Sequence, residues 1–428
     1  MKGRSRCSRA GLCALLLLSL APLPASAVRY VSLTGSNIPP YDTWATAATN
    51  IQTAIDAASA GENIFVTNGT YGITNQIYAN KGLYIRSVNG PEVTIVNGGG
   101  AHRCFWLYSI GTTLFLQGFS LVNGWENNQG SGASIQQNVI VQDCIIRGNT
   151  NGGVGGGVWI GGSGVVRRCV IEGNRSTGGN GAGVCANGGG LIQNCTIRGN
   201  TANEDGGGVY VGSGADLRSC VIVSNVAVNG YGGGVWCDNG RVENCTIAGN
   251  NAQAGGGVHP GVAGAVIRNS VIVENSAGTG TNWYDPYGAT FDHCATVPTR
   301  GTACVTDDPR LWCWPSGDFR LYKDSPCIDA GTNQSWMTGA SDVLGHPRIC
   351  NNTADIGADE FSAAFVSRTG GNVAPYDTWA NAATNVASAV GVASNGYAVM
   401  LTNGVFALTN NISITSGRWP RRRSSAAA

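Results

Sequence analysis

The sequence predicts an all-β solenoid whose coils are about 25 residues long and hold three short strands each. The main observation is a motif whose cysteine, or a serine in its place, returns every 24 to 26 residues. An isoleucine follows two residues after this position, and an asparagine five residues after it, in six successive copies. Such a period is too short for a βαβ unit and long enough for three strands with turns. Each coil can therefore bury its apolar side only against its neighbours. The motif positions are Cys144, Cys169, Cys195, Cys220, Cys245, Ser270 and Cys294.

The first element, residues 1–27, has the pattern of a secretory signal peptide. Basic residues open it, an apolar run spans Leu12–Leu20, and Ala25 and Ala27 form a small-residue exit. The apolar run is shorter than a membrane span, and no later stretch reaches about 18 apolar residues. We therefore expect an exported protein without a transmembrane segment.

Residues 28–93 are predicted to form an N-terminal cap and the first coil. Asp42 can cap a helix whose apolar side repeats at helical spacing, and the segment NIFVTNGTYGI then predicts a first strand. A capping helix would close the end of the solenoid core. The apolar positions of this helix are Trp44, Ala48, Ile51, Ile55 and Ala58.

Residues 94–300 are predicted to be the repeated coils, with three apolar columns running through them. One column lies three residues before the cysteine, and the cysteines and isoleucines form the other two. Positions three apart cannot both face inward on a straight strand, so a bend must separate them. The residue before the cysteine is of a type that tolerates left-handed dihedrals in most coils, with Arg168 as the exception. A Gly-rich turn and GGGV, as at Gly155–Val158, supply the third strand.

The ladder cysteines are predicted to be buried thiols. Side chains stacked on neighbouring coils lie roughly 4.8 Å apart and point the same way, whereas a disulfide needs Cβ atoms about 3.8 Å apart with converging geometry. Cysteine packs well as a small hydrophobic residue. Bridges stay open as an alternative for the last four cysteines, in an oxidising compartment. These are Cys304, Cys313, Cys327 and Cys350.

The strand pattern, the bend and the stacked columns resemble the right-handed parallel β-helix of the pectin-lyase-like superfamily. The GGGV and I-x-G-N pairing also resembles the repeats of polymorphic outer membrane proteins, with isoleucine where that family has phenylalanine. The first resemblance implies a fold used by enzymes that cleave acidic polysaccharides with clustered carboxylates, Arg or Lys, and often calcium. The second implies a surface protein associated with the outer membrane.

Residues 301–362 carry the segments DPRL, GDFRL, SPCIDAG, GHPR and DIGADEF. They resemble the choice-of-anchor Q region of bacterial surface β-helix proteins, which implies a C-terminal cap. Its aspartates raise calcium as an alternative, but their spacing does not match an EF-hand loop. The four histidines also lack metal-ligand spacing, so we predict no metal and no cofactor. The residues concerned are Asp329, Asp342, Asp355, Asp359, His102, His259, His293 and His346.

Residues 363–417 repeat the N-terminal cap, since Phe365–Asn410 matches Tyr30–Asn75 at a constant offset of 335. The copy stops where its first coil should continue, and residues 418–428 form a basic tail that matches nothing earlier. We expect an incomplete second β-helix, as a truncated or frame-shifted gene would encode.

Charge argues against nucleic acid as a partner. Of 26 basic residues, four lie in the signal peptide and four in the tail, which leaves 18 against 25 acidic residues. A folded part with this acidic excess favours neither nucleic acid nor an anionic membrane.

Ligand-binding candidates come from the residue after each GGGV valine. The valine faces the core, so the next side chain faces outward. Large aromatic residues at coil spacing on one sheet suit sugar rings, whose C–H faces stack on them. The alternative is that these rings merely cover the sheet, or that residues 278–300 pack over them. The predicted ligand-binding residues are Trp159, Tyr210, Trp236 and His259; Cys185 takes this position in one coil.

Catalysis is the alternative function. Glycoside hydrolysis needs a pair of acids near one face, and Asp205, Asp238 and His259 are the candidates, with Asp238 and His259 on adjacent coils. No basic residue accompanies them in the sequence, and acids in turns are commonly solvated. We therefore predict an exported cell-surface protein for adhesion or for binding a polysaccharide or cell-surface glycan. The alternative is a polysaccharide lyase or glycoside hydrolase for uronic-acid polysaccharides.

Overall fold

The computed structural model describes residues 27–313, 317–350, 352–376, 379–393, 397–406, 408 and 412. Almost all of the predicted signal peptide and the whole basic tail, 418–428, lie outside these residues. Neither α-helix in the described part, each seven residues long, has the length and apolarity to cross a bilayer.

The chain folds as a right-handed parallel β-helix, as the sequence predicts. Four parallel sheets run along it, which we call sheets I to IV in the order in which one coil passes through them. Sheet III was not predicted, because its strands are mostly only two residues long and follow directly on the asparagine of each coil. Sheet I consists of Val28–Val31, Asn63–Val66, Tyr84–Ser87, Leu114–Gln117, Val139–Gln142, Val165–Arg167, Leu191–Gln193, Asp216–Arg218, Arg241–Glu243, Val266–Arg268 and Thr290–Asp292.

The other sheets follow the same order along the axis. Sheet II consists of Gly69–Gly72, Thr94–Asn97, Ser120–Val122, Ile145–Arg147, Val170–Glu172, Thr196–Arg198, Val221–Val223, Thr246–Ala248, Val271–Val273 and Ala295–Thr296. Sheet III consists of Trp125–Glu126, Thr150–Asn151, Arg175–Ser176, Thr201–Ala202, Val226–Ala227, Asn251–Ala254 and Ser276–Thr279. Sheet IV consists of Ile77–Ala79, Phe105–Leu107, Ala133–Ile135, Val158–Gly161, Val184–Asn187, Val209–Val211, Val235–Cys237 and Val258–Pro260.

The predicted apolar columns form the core. Ile171, Ile197 and Ile222 pair directly across sheet II, and each is completely buried. The cysteines beside them are equally buried, and Cys195 directs its Sγ toward the Gln193 carbonyl at 3.2 Å. The described ladder cysteines are all thiols, each in a dry column.

The bend between sheets I and II is a single residue in the left-handed region in every repeated coil. Asp143 has φ 54° and Asn194 has φ 54°, and even Arg168 adopts φ 51°. This reversal allows the residue three before the cysteine and the cysteine itself both to face inward. The predicted bend is confirmed, also in the coil whose residue type did not favour it.

The motif asparagines form a continuous buried ladder at the turn that leaves sheet II. Each side-chain amide donates to the Oδ1 of the asparagine on the next coil, at 2.9–3.0 Å from Asn149 to Asn275. Each Nδ2 also donates to a backbone carbonyl on the preceding coil, as Asn200 does to Ile171 at 3.0 Å. The asparagine period thus reflects hydrogen bonding along the axis.

The N-terminal helix is shorter than predicted, and its cap is different. It spans Ile51–Ala57, and Asn50, not Asp42, accepts the capping hydrogen bond from the Thr53 N–H at 2.8 Å. The helix cannot begin earlier because Thr43 and Thr46 bond each other and nearby backbone groups, which competes with helical bonding. The helix still turns apolar residues, such as Ile55, toward the core.

Within the predicted cap 301–362, Thr302 and Val305 form parallel bridges to Asp292 and Ala295 of the last coil, and the part after residue 317 packs along the side of the β-helix. Ala358 donates its backbone N–H to the Thr246 Oγ1 at 3.0 Å, and Asn244 donates to the Asp355 carbonyl at 3.1 Å. Phe319 and Ala358 cover outward-facing Val221 and Val223 of sheet II. Asp318–Leu321 in this segment pairs antiparallel with Leu311–Cys313, which precedes it in the chain, and the segment also holds the 3₁₀ turn Ser335–Met337.

The second copy of the N-terminal cap repeats its elements at the offset of 335. Ala363–Val366 pairs in parallel with Ala398–Leu401, as Val28–Val31 pairs with Asn63–Val66. The helix Val386–Val392 is capped by Asn385, which accepts from the Ser388 N–H at 2.8 Å.

Candidate functional site

The residues predicted to bind a ligand stand in one column on sheet IV. Strand register places Trp159 beside Cys185, Cys185 beside Tyr210, Tyr210 beside Trp236, and Trp236 beside His259. The flanking residues in these strands, such as Val158 and Ile160, are completely buried. The column therefore lies on the outward face of the sheet, as strand alternation requires.

The column is longer than the sequence predicted. Tyr78, Trp106 and Ser134 continue it toward the N-terminus, and Tyr284 stacks on His259 at a centroid distance of 5.4 Å. Tyr78 donates its hydroxyl to the Tyr108 hydroxyl at 2.8 Å. The sequence does contain a signal for these aromatic residues, because each of them follows an inward apolar residue at the same place in its coil. We call Tyr78, Trp106, Trp159, Tyr210 and Trp236 the ring column.

Two tryptophans of the ring column, Trp159 and Trp236, lie flat against the sheet. A Cβ placed on Gly161 would lie 2.4 Å from the Trp159 ring, and one on Gly261 would lie 2.8 Å from the Trp236 ring. Each indole Nε1 is buried without a hydrogen-bond partner among the described residues, while the side chains as a whole are half-buried. Each indole thus lies against a glycine while its side chain stays half-buried, a geometry that suits stacking on a sugar ring.

His259 is not available on this face, contrary to the expectation. Only 3% of it is exposed, because aromatic rings surround it. Trp236 lies at 4.5 Å and Tyr231 at 5.1 Å between centroids, and Tyr284 and Tyr287 come from the segment after sheet III. Burial lowers the pKa of this imidazole below its ordinary value. His259 is therefore an uncharged ring that supports Trp236 from below the surface.

The two acidic candidates lie around Tyr210 in the middle of the column. The Tyr210 hydroxyl donates to the Asp238 Oδ2 at 3.3 Å. Burial first, and then the negative charges of Asp238 and Asp205, raise the pKa of Tyr210 to about 12. Asp205 accepts the Tyr231 N–H at 2.8 Å, and partial burial raises its pKa. Within the described residues no hydrogen bond or ion pair joins Asp238 to His259, so the structure does not bring that pair together.

Cys185 interrupts the ring column as a buried thiol. Desolvation raises its pKa to about 12, and a thiol of that pKa is not a nucleophile near neutral pH. Like Ser134, which is also buried, it leaves room between neighbouring rings.

One group in the described part of the chain has the donor atoms for a metal. Asp342, His346 and Asp359 are buried, and their donor atoms lie within 4.8 Å of one another. The Asp342 Oδ1 already accepts the N–H groups of Leu344 and His346, both at 2.8 Å. Backbone donors thus hold this carboxylate in the packed segment.

Comparisons with known proteins are limited to the fold. No protein-family model matches the chain, and no curated protein matches its sequence. The pectate lyase Pel9A is 17% identical, with a TM-score of 0.47, over 78% of this chain and 96% of that one. A pectin methylesterase from Aspergillus niger is 13% identical, with a TM-score of 0.36, over 66% of this chain and 87% of that one. At these scores the similarities carry no argument about activity.

Proposed function

We propose that this is an exported cell-surface protein that binds a polysaccharide on the outward face of sheet IV. The single observation that carries the proposal is the ring column, in which aromatic side chains line up parallel to the axis of the β-helix. The signal-peptide pattern of residues 1–27 supports export. The acidic balance of the remaining chain favours a partner that is neither nucleic acid nor an anionic membrane.

The spacing of the rings supports an extended ligand. Neighbouring coils of a parallel sheet are roughly 4.8 Å apart, and small residues occupy the coils between Trp106 and Trp159 and between Trp159 and Tyr210. Rings therefore recur at every second coil in this part of the sheet. A polysaccharide that lies along the axis can stack its sugar rings on these side chains in succession, whereas a small globular ligand would contact only one.

The test is to replace the rings and measure binding. A glycan-array screen identifies the polysaccharide, and Trp159→Ala and Trp236→Ala are then titrated against it. We expect each variant to weaken binding by about tenfold, the loss typical of an aromatic anchor. Trp125→Ala is the matched control, because Trp125 is exposed on sheet III, outside the ring column. Unchanged binding by both Trp159→Ala and Trp236→Ala would contradict the proposal.

A second candidate function is hydrolysis or lyase cleavage of an acidic polysaccharide. The observation in its favour is that Asp205 and Asp238 lie near Tyr210 of the ring column, where their negative charges raise the pKa of Tyr210. Two acids beside a bound glycan are the minimum for glycoside hydrolysis. A depolymerisation assay on uronic-acid polysaccharides, run with Asp205→Asn and Asp238→Asn, tests it. Cleavage that both variants abolish would establish this activity, and cleavage retained by both would exclude these acids.

A further inference from the structure

A separate polar cavity lies between sheet I and the segment that packs along the side of the β-helix. Its volume is about 370 Å³, which is within the range of small-ligand sites. Arg167, Gln193 and Arg218 form its floor, and Trp336 and Ser341 belong to the opposite wall. Asn194 closes one side by donating to the Ser341 Oγ at 3.0 Å. We call it the arginine pocket; the ring column lies on another sheet.

Charge in the arginine pocket is unbalanced. From Gln142 to Asp292, the strands of sheet I and the bends after them carry five arginines and four carboxylates. Most of these pair along the sheet, as Arg168 does with Asp143 at 2.7 Å and Arg218 with Glu243 at 3.2 Å. None of the described residues that line the pocket is acidic.

Of these five arginines, Arg167 is the one without a carboxylate partner among the described residues. Its guanidinium donates through Nε and Nη2 to the neutral Gln142 Oε1, at 2.9 and 2.7 Å, and no described carboxylate pairs with it. Partial burial and the neighbouring charge of Arg168 lower the pKa of Arg167 from its ordinary value, and the nearby Asp143, whose two carboxylate oxygens are bonded by Arg168, offsets this only in part. A guanidinium nevertheless stays protonated at neutral pH. A half-buried guanidinium without an anionic partner attracts one negative charge.

The other groups in the pocket indicate what surrounds that charge. The Gln193 carboxamide lies in register between Arg167 and Arg218 and has no hydrogen-bond partner among the described residues. The exposed Thr338 provides a hydroxyl on the opposite wall. The Trp336 ring packs on the Arg218 guanidinium, 4.9 Å from its centroid, which holds that wall in place. The Gln193 amide and the Thr338 hydroxyl can form hydrogen bonds with hydroxyl groups of a ligand, whereas Arg167 calls for a negatively charged group.

We propose that the arginine pocket binds a small hydroxylated monocarboxylate, with its carboxylate on Arg167 and its hydroxyls on Gln193 and Thr338. Either a free sugar acid or an acidic sugar at the end of a glycan has this chemistry. Gluconate and methyl glucuronide represent the two sources, and glucose and inorganic phosphate are the matched comparison ligands.

The test is calorimetric titration of the full chain with these four probes. We expect the carboxylates to bind and glucose not to bind. Arg167→Gln should weaken binding by at least about tenfold, the loss of a charge-assisted hydrogen bond. Gln142→Glu should weaken it similarly, because the new carboxylate would pair with Arg167 from outside the pocket. Arg241→Gln is the control, since Arg241 is exposed on the same sheet and does not line the pocket.

Several results would overturn the proposal. These are absence of binding at millimolar carboxylate, equal binding of glucose, tighter binding of phosphate, or unchanged binding by Gln142→Glu in a variant that melts like the parent. A preference for methyl glucuronide over gluconate would assign the pocket to a glycan terminus, and the reverse preference would assign it to a free sugar acid.

Discussion

Asn174 and Asn200, on neighbouring coils, are joined by two hydrogen bonds to one oxygen atom. The Asn200 Oδ1 accepts the Asn174 backbone N–H at 2.9 Å and the Asn174 side-chain amide at 3.0 Å. The Asn200 Nδ2 meanwhile donates to the Ile171 carbonyl on the coil before. Only a side chain with both an acceptor and a donor can continue such a ladder in both directions.

Replacing Asn200 with alanine should therefore destabilise the fold by at least about 2 kcal/mol, because buried donors and an acceptor lose their partners together. Urea unfolding followed by circular dichroism measures this loss. Asn203→Ala is the control: its Oδ1 accepts from Asn229 on an exposed part of the surface, and surface changes are usually within about 0.5 kcal/mol. Equal losses in the two variants would show that the buried ladder has no special role.

The core columns give a prediction about two adjacent residues. Ile197 is completely buried, whereas Thr196 beside it faces outward and is half-buried. Ile197→Asp should cost more than about 4 kcal/mol, because it places a carboxylate in a dry core. Thr196→Asp should leave a folded protein. Soluble expression and thermal melting of the pair distinguish them, and a folded Ile197→Asp variant would contradict the strand register.

The repeated coils could be predicted because each position of the motif recurs from coil to coil, so the sequence itself shows which residues are stacked on one another. Ile197, Cys195 and the bend at Asn194 followed from period and strand geometry alone. The burial of His259 could not be predicted, because it depends on where the segment around Tyr284 returns to the sheet. The start of the first helix at Ile51 was missed, because local threonine hydrogen bonds compete with helix formation upstream.

The packing of the segment after residue 317 along the side of the β-helix could not be predicted for a related reason. A cap sequence can close an end or cover a side, and only long-range contacts decide which. A signal did exist: Val221–Val223 and Val271–Val273 are apolar on both faces of sheet II. Strands of that kind are typical of a sheet that is covered on both sides.

The ladder cysteines are predicted to be free and unreactive in the folded protein. Cys169 and Cys220 are buried, and desolvation raises their pKa well above the ordinary value. Alkylation without a reductant should label Cys169, Cys195 and Cys220 only after unfolding, as peptide mass spectrometry would show. Disulfides between adjacent coils would contradict the distance argument.

The packed C-terminal segment should lose stability as pH rises. Burial raises the pKa of Asp355 to about 6 and, with the charge of Asp342 as a second cause, that of Asp359 to about 7. An unfolded aspartate has a pKa near 3.9, so between about pH 4 and pH 7 the folded state holds protons that the unfolded state has released. Stability therefore falls with rising pH across this window. We expect a lower urea midpoint at pH 8 than at pH 5, measured with a chelator present.

Asp359→Asn isolates the cause of this dependence. The amide imitates the protonated acid and can still accept the Leu321 N–H that Asp359 accepts at 3.0 Å. The variant should be more stable than the parent at pH 8, nearly equal to it at pH 5, and less sensitive to pH between them. Asp324→Asn is the matched control, because Asp324 is exposed and pairs only at the surface with Lys323. A midpoint that rises from pH 5 to pH 8 in the parent, or an Asp359→Asn variant that is less stable at pH 8, would show that Asp359 is ionised and stabilising in the folded protein.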